Sequence, residues 1–385
     1  MKKLIFVTML VSLFGGMMIA CSGDDEQGIS FTSYNAGLAI GFVDYASLRQ
    51  PEIVSALAAE KSDVICLQEV WNQDQIDAIL DGTKDAYPHS YYEITEGEVA
   101  EGDEPACTTD ETDPLVACVE DKCPDIDPEN LGTCALENCL AEFSALSSAC
   151  VGCATGELGK SIDEIVEACT TAAGGSWAYD GHNGLLMLSK IPFKAKEFMT
   201  FNSYLNVRSV LHTTLETEQF GTMEVFCTHL TATLSDVGYA GEYGSWDAER
   251  SYQIDELIKY VDDESEKTRA SVVMGDMNCG PETSNVNAEF AENYQQFVDG
   301  GMKAPYVDYA LSPCTWCDEN TLTGGADSGG EDAIIDHVMF KYMPEDTSYA
   351  SQRVLDAAIT ITDDDEGDIE TRLSDHYGVE VIAIP

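Results

Sequence analysis

The sequence predicts a layered α/β protein in which helices cover two β-sheets. Apolar runs of strand length alternate with longer amphipathic segments along most of the chain, as expected for stacked sheets and helices. Short polar motifs follow many of these strands, where ligands commonly bind in layered α/β proteins. The chain has 385 residues, 44% of them hydrophobic, which suits one large sandwich as well as two domains.

The strands are predicted from short runs rich in β-branched and aromatic residues. In chain order they are ISFTSYNA, DVICLQEV, LLMLS, SVLHTTLET, TMEVFCTHL, SVVMGDMN, AIIDHVMFKY, LDAAITIT and YGVEVIAI. The helices are predicted from longer segments with apolar residues at helical spacing, such as the stripe that contains Leu257 and Val261. In chain order they are SLRQPEIVSALAAEKS, NQDQIDAILDGT, DAERSYQIDELIKYVDDESEK and NAEFAENYQQFVDGG.

The N-terminus has the pattern of an export signal. Lys2 and Lys3 precede an apolar stretch from Leu4 to Leu13, and small residues follow before Cys21. The residues Met-Ile-Ala-Cys that end at Cys21 resemble a bacterial lipobox, which implies that Cys21 is lipidated and becomes the mature N-terminus. The alternative is an ordinary signal peptide with a cysteine there by chance. Either way we expect an exported protein, anchored to the cell envelope at the outer membrane or secreted.

These patterns divide the chain into four parts. Residues 1–20 are predicted to be a lipoprotein signal peptide and residues 21–28 a tether. Residues 29–385 form the folded domain, which is interrupted by a cysteine-rich insertion at residues 96–176. The insertion is flanked by an acidic segment and by a glycine-rich one, and its composition differs from that of the alternating strands and helices around it.

Disulfides are expected in an exported chain with fourteen cysteines. Eight of them lie in the insertion, at Cys107, Cys118, Cys123, Cys134, Cys139, Cys150, Cys153 and Cys169. We predict a small helical unit with up to four disulfides, whose pairing the sequence does not define. The alternative is a zinc site, because C-x-x-C occurs at residues 150–153.

The other cysteines are predicted from their local context. Cys314 and Cys317 lack the strand and helix that flank a redox motif, so a local disulfide across a loop is expected. Cys66, Cys227 and Cys279 lie in or beside buried strands and are expected to be packed free thiols.

The net charge is strongly negative. Asp and Glu number 70 against 19 Lys and Arg, which gives a formal charge of -51. Nucleic-acid-binding proteins normally offer a basic surface, so this charge disfavours a nucleic-acid partner unless salt or bound cations screen it. Adaptation to a saline habitat, or general solubility, explains the charge equally well.

Two polar residues at the ends of early strands are candidate metal ligands. Glu69 ends the apolar run DVICLQ, where a carboxylate is costly to bury unless it is paired or bound to a metal. A salt-bridged strand end is the alternative. Asn35 ends the first strand, although an asparagine there also suits a turn.

The motif GDMN carries a second polar pair. Asp276 and Asn278 follow the apolar run Val272-Val273-Met274 and are two residues apart, so on a strand they would share one face. A carboxylate and an amide in this arrangement could orient a water molecule and hold a phosphoryl oxygen. The alternative is an Asx turn with no chemical role.

Histidines next to carboxylates complete the candidate site. His229 ends the strand that begins at TMEVF, and His376 directly follows Asp375. Neighbouring strand residues point to opposite faces, so Asp375 and His376 can meet one site only in a loop. For the same reason Asp336 is a candidate site residue, whereas His337 is expected to be structural.

The chain lacks the motifs of several other enzyme classes. It has no G-x-x-x-x-G-K-[ST] loop, no G-x-G-x-x-G fingerprint and no G-x-S-x-G elbow. The candidate ligands are mostly oxygen atoms, which favour Mg²⁺, with Mn²⁺ or Ca²⁺ as alternatives.

Seven motifs in a fixed order resemble the endonuclease/exonuclease/phosphatase superfamily. They are SYNAGL, CLQEVW, HNGLLMLSK, CTHLTA, GDMNCGP, IDHVMF and SDHYGVEV. The resemblance covers about residues 29–95 and 177–385 and leaves out the insertion. It implies a four-layer α/β/β/α sandwich and hydrolysis of a phosphate ester by in-line attack of water.

The resemblance also implies roles for the candidate residues. Glu69 is the principal Mg²⁺ ligand, with Asn35 close to the metal and Asp375 as a further ligand. The implied catalytic residues orient water, hold phosphate or transfer protons; they are His229, Asp276, Asn278, Asp336, Asp375 and His376.

Within the superfamily, the local sequence is most similar to neutral sphingomyelinases. The stretches QEVWNQDQ, AYPHSYY, NGLLMLSKIPF and AERSYQIDELIKYV carry this similarity. It implies a phospholipid head group as the substrate, which the acidic charge and a lipid anchor suit better than DNA. The predicted lipidation of Cys21 makes the membrane a partner, although no apolar hairpin for membrane insertion is evident. The alternatives are an extracellular endonuclease that acts on DNA or RNA, and a catalytically inert surface-binding protein.

Overall fold

A computed structural model describes residues 28–95, 105–171, 177–234, 238–308, 312–323, 331–363 and 367–385. The predicted signal peptide, Cys21 and all but the last residue of the tether lie outside these ranges. Within them, no helix combines the length and the apolar character needed to cross a membrane.

The strands and helices follow the predicted alternation. The strands are β1 (Ile29–Asn35), β2 (Val64–Gln68), β3 (His89–Tyr91), β4 (Leu186–Ser189), β5 (Phe193–Thr200), β6 (Ser209–Thr217), β7 (Gly221–His229), β8 (Ala270–Asp276), β9 (Asp336–Lys341), β10 (Ser348–Val354), β11 (Ala358–Asp363), β12 (Gly367–Arg372) and β13 (Gly378–Ile384). The α-helices are α1 (Ala46–Ala59), α2 (Gln73–Thr83), α3 (Thr109–Lys122), α4 (Leu131–Asn138), α5 (Leu140–Phe143), α6 (Ser148–Gly156), α7 (Ile162–Thr171), α8 (Trp246–Glu264), α9 (Ala291–Asp299) and α10 (Pro305–Asp308).

The strands form two large sheets and a separate hairpin. The first sheet has the order β10-β13-β1-β2-β4-β3, and the second has the order β5-β6-β7-β8-β9. Strands β1 and β2 are parallel, and so are β7 and β8. Among the described strands, β11 and β12 pair only with each other. The carboxyl ends of both parallel pairs carry the predicted motif residues.

The two sheets pack face to face and helices cover their outer faces. In β2, Cys66 points into the core between the sheets, whereas Ile65 and Leu67 pack against α1 and α2. In β7, Val225 points inward and Phe226 packs against α8 and α9. This alternation gives the order helix, sheet, sheet, helix, and it confirms the predicted four-layer sandwich.

Capping residues define where the covering helices begin. The Asn72 side chain accepts a hydrogen bond from the backbone N–H of Gln75, and Gln75 Oε1 accepts one from the backbone N–H of Asn72. Ser245 accepts from the backbone N–H of Ala248 at the start of α8. Such caps satisfy backbone donors that have no partner within the helix.

Five short helices, α3 to α7, fall within the predicted insertion. Four disulfides join its eight cysteines, which confirms the predicted disulfides. Cys150 and Cys153 belong to two of these disulfides, so the alternative zinc site at residues 150–153 is wrong. The insertion has its own apolar cluster, which also includes Leu205 and Trp246 of the sandwich. Thr133 donates a hydrogen bond to the carbonyl oxygen of Gly41 at 3.3 Å, so the insertion contacts a loop beside the motif SYNAGL.

Two of the cysteine predictions were wrong and two were right. Cys66 and Cys227 form a disulfide instead of two free thiols, because they face each other across the core between the sheets. Cys279 is a buried free thiol, and Cys314 and Cys317 form the expected local disulfide.

Four of the described strands were not predicted from the sequence, which are β3, β5, β10 and β12. Strands β3, β5 and β10 lie at sheet edges, and β12 belongs to the separate hairpin. Polar residues alternate with few buried ones in β5, β10 and β12, so these strands lack the continuous apolar runs of the central ones.

Candidate active site

The polar motif residues gather at one edge of the sandwich, at the carboxyl ends of β1, β2, β7 and β8. The inward-facing row of each strand is apolar in the middle of the sandwich and becomes polar at this edge. The polar residues that continue these rows are Asn35, His229, Asp276 and Asp336. All eight predicted site residues lie together here.

Glu69 and Asn35 form the part of the site that belongs to the six-stranded sheet. Glu69 follows β2 with a left-handed backbone (φ 58°), which turns its side chain toward the cavity. Asn35 Nδ2 donates to Glu69 Oε1 at 3.1 Å and to Asp276 Oδ2 at 3.0 Å. Burial, and then the charge of Asp375, raise the pKa of Glu69. Asn35 therefore links two carboxylates from different sheets.

Asp276 and Asn278 meet at the end of β8 through a turn. The strand ends at Asp276, and the backbone N–H of Asn278 donates to Asp276 Oδ1 at 2.9 Å. The expectation that both lie on one strand face was wrong, because this Asx turn gives Asn278 a left-handed backbone (φ 50°). Both residues nevertheless line the same cavity. Burial, and then Asp336, raise the pKa of Asp276 to about 7.

His376 is paired with Asp336. His376 and Asp375 lie in the loop before β13, as the sequence analysis required for both to reach one site. His376 Nδ1 is 2.9 Å from Asp336 Oδ2, and His376 Nε2 is 3.7 Å from Asp276 Oδ2. Burial lowers the pKa of His376, but the charges of Asp336, Asp276 and Asp375 outweigh burial and raise it well above its usual range.

His229 differs from His376 in its charge state. Its Nε2 is 3.5 Å from Asp276 Oδ2, and its Nδ1 is buried without a hydrogen-bond partner among the described residues. Burial, with the charges of Arg208 and His376, lowers the pKa of His229 well below its usual range. The site therefore contains one neutral imidazole and one that favours the protonated form.

Asp375 is held by two close neighbours. Ser374 Oγ is 3.0 Å from Asp375 Oδ1 and 2.8 Å from the carbonyl oxygen of Asn35. Gly37 has φ +54°, and a Cβ atom there would lie 2.3 Å from Asp375 Oδ1. The glycine of the motif SYNAGL is therefore required for the two loops to approach each other.

Two buried arginines beside the site, Arg49 and Arg208, were not predicted from the sequence. Arg49 donates to the carbonyl oxygens of Gly37 and Leu373, so it holds the loops on either side of Asp375. Arg208 precedes β6 and lines the cavity, and its Nε and Nη1 have no hydrogen-bond partner among the described residues. Burial lowers the pKa of Arg208, whereas Glu69 and Asp276 raise it. The only sequence signal for Arg208 was its place at the start of a strand in a chain with few basic residues.

The site opens into a cavity of about 700 Å³ with several aromatic residues in its wall. The rings of Trp71 and Tyr179 stack with their centroids 4.6 Å apart, and Arg208 lies 5.8 Å from the centroid of Trp71. Trp316 contacts His376 edge-on at 4.8 Å. Tyr179 lies just beyond the insertion in sequence, so the return of the chain from the insertion contributes to the cavity wall.

His337 points away from the site, as predicted. Its Nε2 is 2.9 Å from the carbonyl oxygen of Cys279, and burial lowers the pKa of His337 to about 4. The neighbouring Asp336 faces the cavity side, because adjacent strand residues point in opposite directions.

The donor set at this edge fits a hard divalent cation. Asp276, Asp336 and His376 each offer an atom within 4.8 Å of the others. Asp336 Oδ1 is buried with no hydrogen-bond partner among the described residues, and Glu69 and Asp375 lie at the same cavity. Buried carboxylates in such numbers are costly unless a cation neutralises them, and oxygen atoms are the ligands that Mg²⁺ and Ca²⁺ prefer.

The fold and the site define a phosphoesterase scaffold. The model of the Endonuclease/Exonuclease/phosphatase family matches residues 33–376, and the chain belongs to this family. Family membership confirms the resemblance recognised in the sequence and identifies a hydrolase fold that acts on phosphoester bonds. No curated protein matches the chain.

Several solved structures share the fold at low sequence identity. SmcL has a TM-score of 0.57 and 12% identity, and the match covers 92% of this chain and 98% of that chain. Sphingomyelinase C from Streptomyces griseocarneus has a TM-score of 0.54 and 16% identity, with 92% and 99% covered. A variant of beta toxin from Staphylococcus aureus, solved with bound magnesium ions, has a TM-score of 0.54 and 12% identity, with 92% and 99% covered.

Proposed function

We propose that this protein is a Mg²⁺-dependent phosphodiesterase whose preferred substrate is a phospholipid head group, as in sphingomyelinases. The observation that carries the proposal is the convergence of charged and imidazole side chains on one cavity. The lining includes Glu69, Asp276, Asp375, His229, His376 and Arg208, and Asp336 lies behind them at hydrogen-bond distance from His376. Sphingomyelinase C from Streptomyces griseocarneus has the same fold, and a beta toxin with that fold binds magnesium ions.

The cation is proposed to bind at Glu69, with Asn35 and Asp375 beside it. Glu69 is half-buried and lines the cavity, and its carboxylate accepts a hydrogen bond from Asn35 Nδ2. Mn²⁺ or Ca²⁺ could replace Mg²⁺, since all three prefer oxygen ligands. When bound, the cation supplies positive charge that stabilises the charge developing on the phosphoryl oxygens.

Asp276 is proposed to orient and deprotonate the attacking water. Its carboxylate is held by Asn35 and by the backbone of Asn278, so its direction is fixed before substrate binds. With a pKa of about 7, this carboxylate can accept a proton near neutral pH. The neutral His229 at 3.5 Å can hold the same water or a phosphoryl oxygen.

The remaining residues are proposed to hold the phosphate. Asn278 Nδ2 uses one hydrogen for the carbonyl oxygen of Leu230, which leaves a second for a phosphoryl oxygen. Arg208 presents Nε and Nη1 without partners, and a buried guanidinium fits two oxygens of one phosphate. His376, oriented by Asp336, favours the protonated form and can donate a proton or a hydrogen bond.

A zwitterionic lipid fits this chain better than nucleic acid does. The formal charge of -51 repels a polyanion, whereas a head group with a cation and one phosphate carries no net charge. The aromatic wall formed by Trp71, Tyr179 and Trp316 can contact a quaternary ammonium through cation–π interactions. Lipidation at Cys21 would keep the enzyme beside a membrane, and six disulfides suit an exported protein.

The test is hydrolysis by the soluble fragment that begins after Cys21, with Mg²⁺ and then with EDTA. Sphingomyelin vesicles and plasmid DNA are assayed side by side, and the Glu69→Gln variant is the control for contaminating enzymes. Mg²⁺-dependent release of phosphocholine is the expected result. DNA nicking without phosphocholine release would instead assign the protein to the nucleases, and no hydrolysis of either substrate would contradict the proposal.

A further inference from the structure

One buried disulfide joins the two large sheets. Cys66 in β2 bonds to Cys227 in β7, with Cα atoms 5.4 Å apart and 161 residues between them in sequence. Both side chains are fully buried. The other disulfides of the described ranges lie within the insertion or close the loop at Cys314 and Cys317. In those ranges, Cys66–Cys227 is therefore the covalent link between the sheets.

This disulfide lies directly beneath the polar edge of the sandwich. Gln68 and His229 are the next inward-facing positions after Cys66 and Cys227, because alternate residues of a strand share a face. Gln68 Nε2 lies 2.8 Å from Cys66 Sγ and donates to the carbonyl oxygen of Cys66 at 3.1 Å. Glu69 follows Gln68 in sequence. The disulfide thus occupies the last position of the apolar core before the site begins.

The site depends on the spacing between the sheets because each sheet supplies part of it. Asn35 and Glu69 come from the six-stranded sheet, and His229 and Asp276 come from the five-stranded one. The hydrogen bond from Asn35 to Asp276 crosses the gap at 3.0 Å. Asn35 Nδ2 also donates to Glu69 Oε1 at 3.1 Å, so one amide joins carboxylates from the two sheets. These two hydrogen bonds keep their lengths only while the strands stay at this spacing, and apolar packing holds the sheets together below the edge.

We propose that the Cys66–Cys227 disulfide is a positioning element of the active site. It holds β2 and β7 at the spacing at which Glu69 and His229 face the same cation and phosphate. The inference rests on the proposed function, because it assumes that a divalent cation binds between these strands. Without the disulfide, the protein remains folded but binds the cation more weakly and hydrolyses substrate more slowly.

The test compares two disulfide deletions in the fragment that begins after Cys21. The first is the double variant Cys66→Ala, Cys227→Val, which removes the link with little change in core volume. The matched control is Cys118→Ala, Cys139→Ala, which removes a disulfide within the insertion. Mn²⁺ affinity is measured by calorimetry for each protein, and kcat and KM are measured with bis(p-nitrophenyl) phosphate. Circular dichroism selects a temperature at which all three proteins are folded.

We expect the Cys66, Cys227 variant to bind Mn²⁺ about tenfold more weakly, the lower end of the loss seen when residues supporting a metal ligand are removed. Its kcat should fall by a similar factor with a smaller change in KM. The insertion control should match the wild-type protein in Mn²⁺ affinity and in kcat. Wild-type Mn²⁺ affinity and kcat in a folded Cys66, Cys227 variant would overturn the inference. Equal losses in both variants would also overturn it, because they would indicate general destabilisation.

A second variant tests the inference if the first does not fold. Gln68→Leu keeps the disulfide and the core but removes the contact between Cys66 and the residue before Glu69. We expect a smaller loss of Mn²⁺ affinity, and unchanged affinity would contradict the inference. Failure of the wild-type protein to bind Mn²⁺ would refute the proposed function. Mn²⁺ binding that is equal in wild type and variants would refute the positioning role alone.

Discussion

Different kinds of interaction stabilise the sandwich and the insertion. The sandwich has an apolar core between its sheets and a second apolar layer under the helices on each side. The insertion has five short helices around one small cluster, and four disulfides close loops of 11 to 43 residues within it. A small unit cannot bury enough apolar surface to be stable alone, so it needs covalent links. The sandwich buries a much larger apolar core, and this burial can offset the cost of buried charges at one edge.

This difference predicts that the largest losses of activity come from changes at the polar edge of the sandwich. We expect Glu69→Gln to lower hydrolysis by about 10³-fold or more, since it removes the charge proposed to bind the cation. Stability should not fall, because one of several buried like charges is removed. Initial rates and a thermal melt measure both effects. Glu52→Gln, at an exposed position on α1, is the control and should retain full activity.

The next effect in size is expected for the histidine pair. His376→Ala removes the imidazole that Asp336 orients, and general acid–base groups contribute about 10²- to 10⁴-fold to rates. We expect kcat to fall within this range while the circular dichroism spectrum is unchanged. His89→Ala, outside the site, serves as the control. Wild-type kcat for His376→Ala would show that this residue takes no part in the reaction.

A change in the insertion should have the opposite outcome, with loss of stability and little loss of activity. Removal of Cys153–Cys169, which closes 16 residues, is expected to destabilise the insertion by about 3 kcal/mol. Hydrogen exchange should then increase in α6 and α7 but not in β7 and β8. Hydrolysis of bis(p-nitrophenyl) phosphate should be retained. If the variant loses hydrolysis as well as stability of the insertion, the two regions form one cooperative unit.

The smallest effect is expected where the two regions meet. Thr133→Val removes the hydrogen bond to the carbonyl oxygen of Gly41 while keeping the size of the side chain. A single hydrogen bond of this kind contributes about 1 kcal/mol. Urea unfolding should detect this loss, and Thr109→Val, near the exposed start of α3, is the comparison. No difference between the two variants would indicate that this contact does not help to dock the insertion.

The layers and the position of the site could be predicted from the sequence because both follow from local patterns. Continuous apolar runs predict β2, β7 and β8 as buried central strands, and a polar residue at the end of such a run indicates the edge where ligands bind. Glu69 and Asp276 were found in this way. Edge strands such as β5 were missed because half-exposed residues leave a weak pattern.

Other features depend on contacts between distant parts of the chain, and local patterns do not contain them. The pairing of Cys66 with Cys227 depends on which strands of the two sheets face each other. Arg208 reaches the site because β6 lies beside β7 in the second sheet. The Asx turn at Asp276 was considered as an alternative to a chemical role, yet the turn is what directs Asn278 toward the cavity.

The left-handed backbones of Glu69 and Asn278 have a consequence for the evolution of this protein. A residue other than glycine generally loses about 1 kcal/mol or more in this conformation, and asparagine loses less than most. Glu69 directly follows β2, and Asn278 lies two residues after the end of β8. Selection for thermal tolerance alone would favour glycine at each position. Natural or laboratory lineages freed from the need for activity should therefore lose these two side chains early, and descendants that keep both have remained under selection for chemistry.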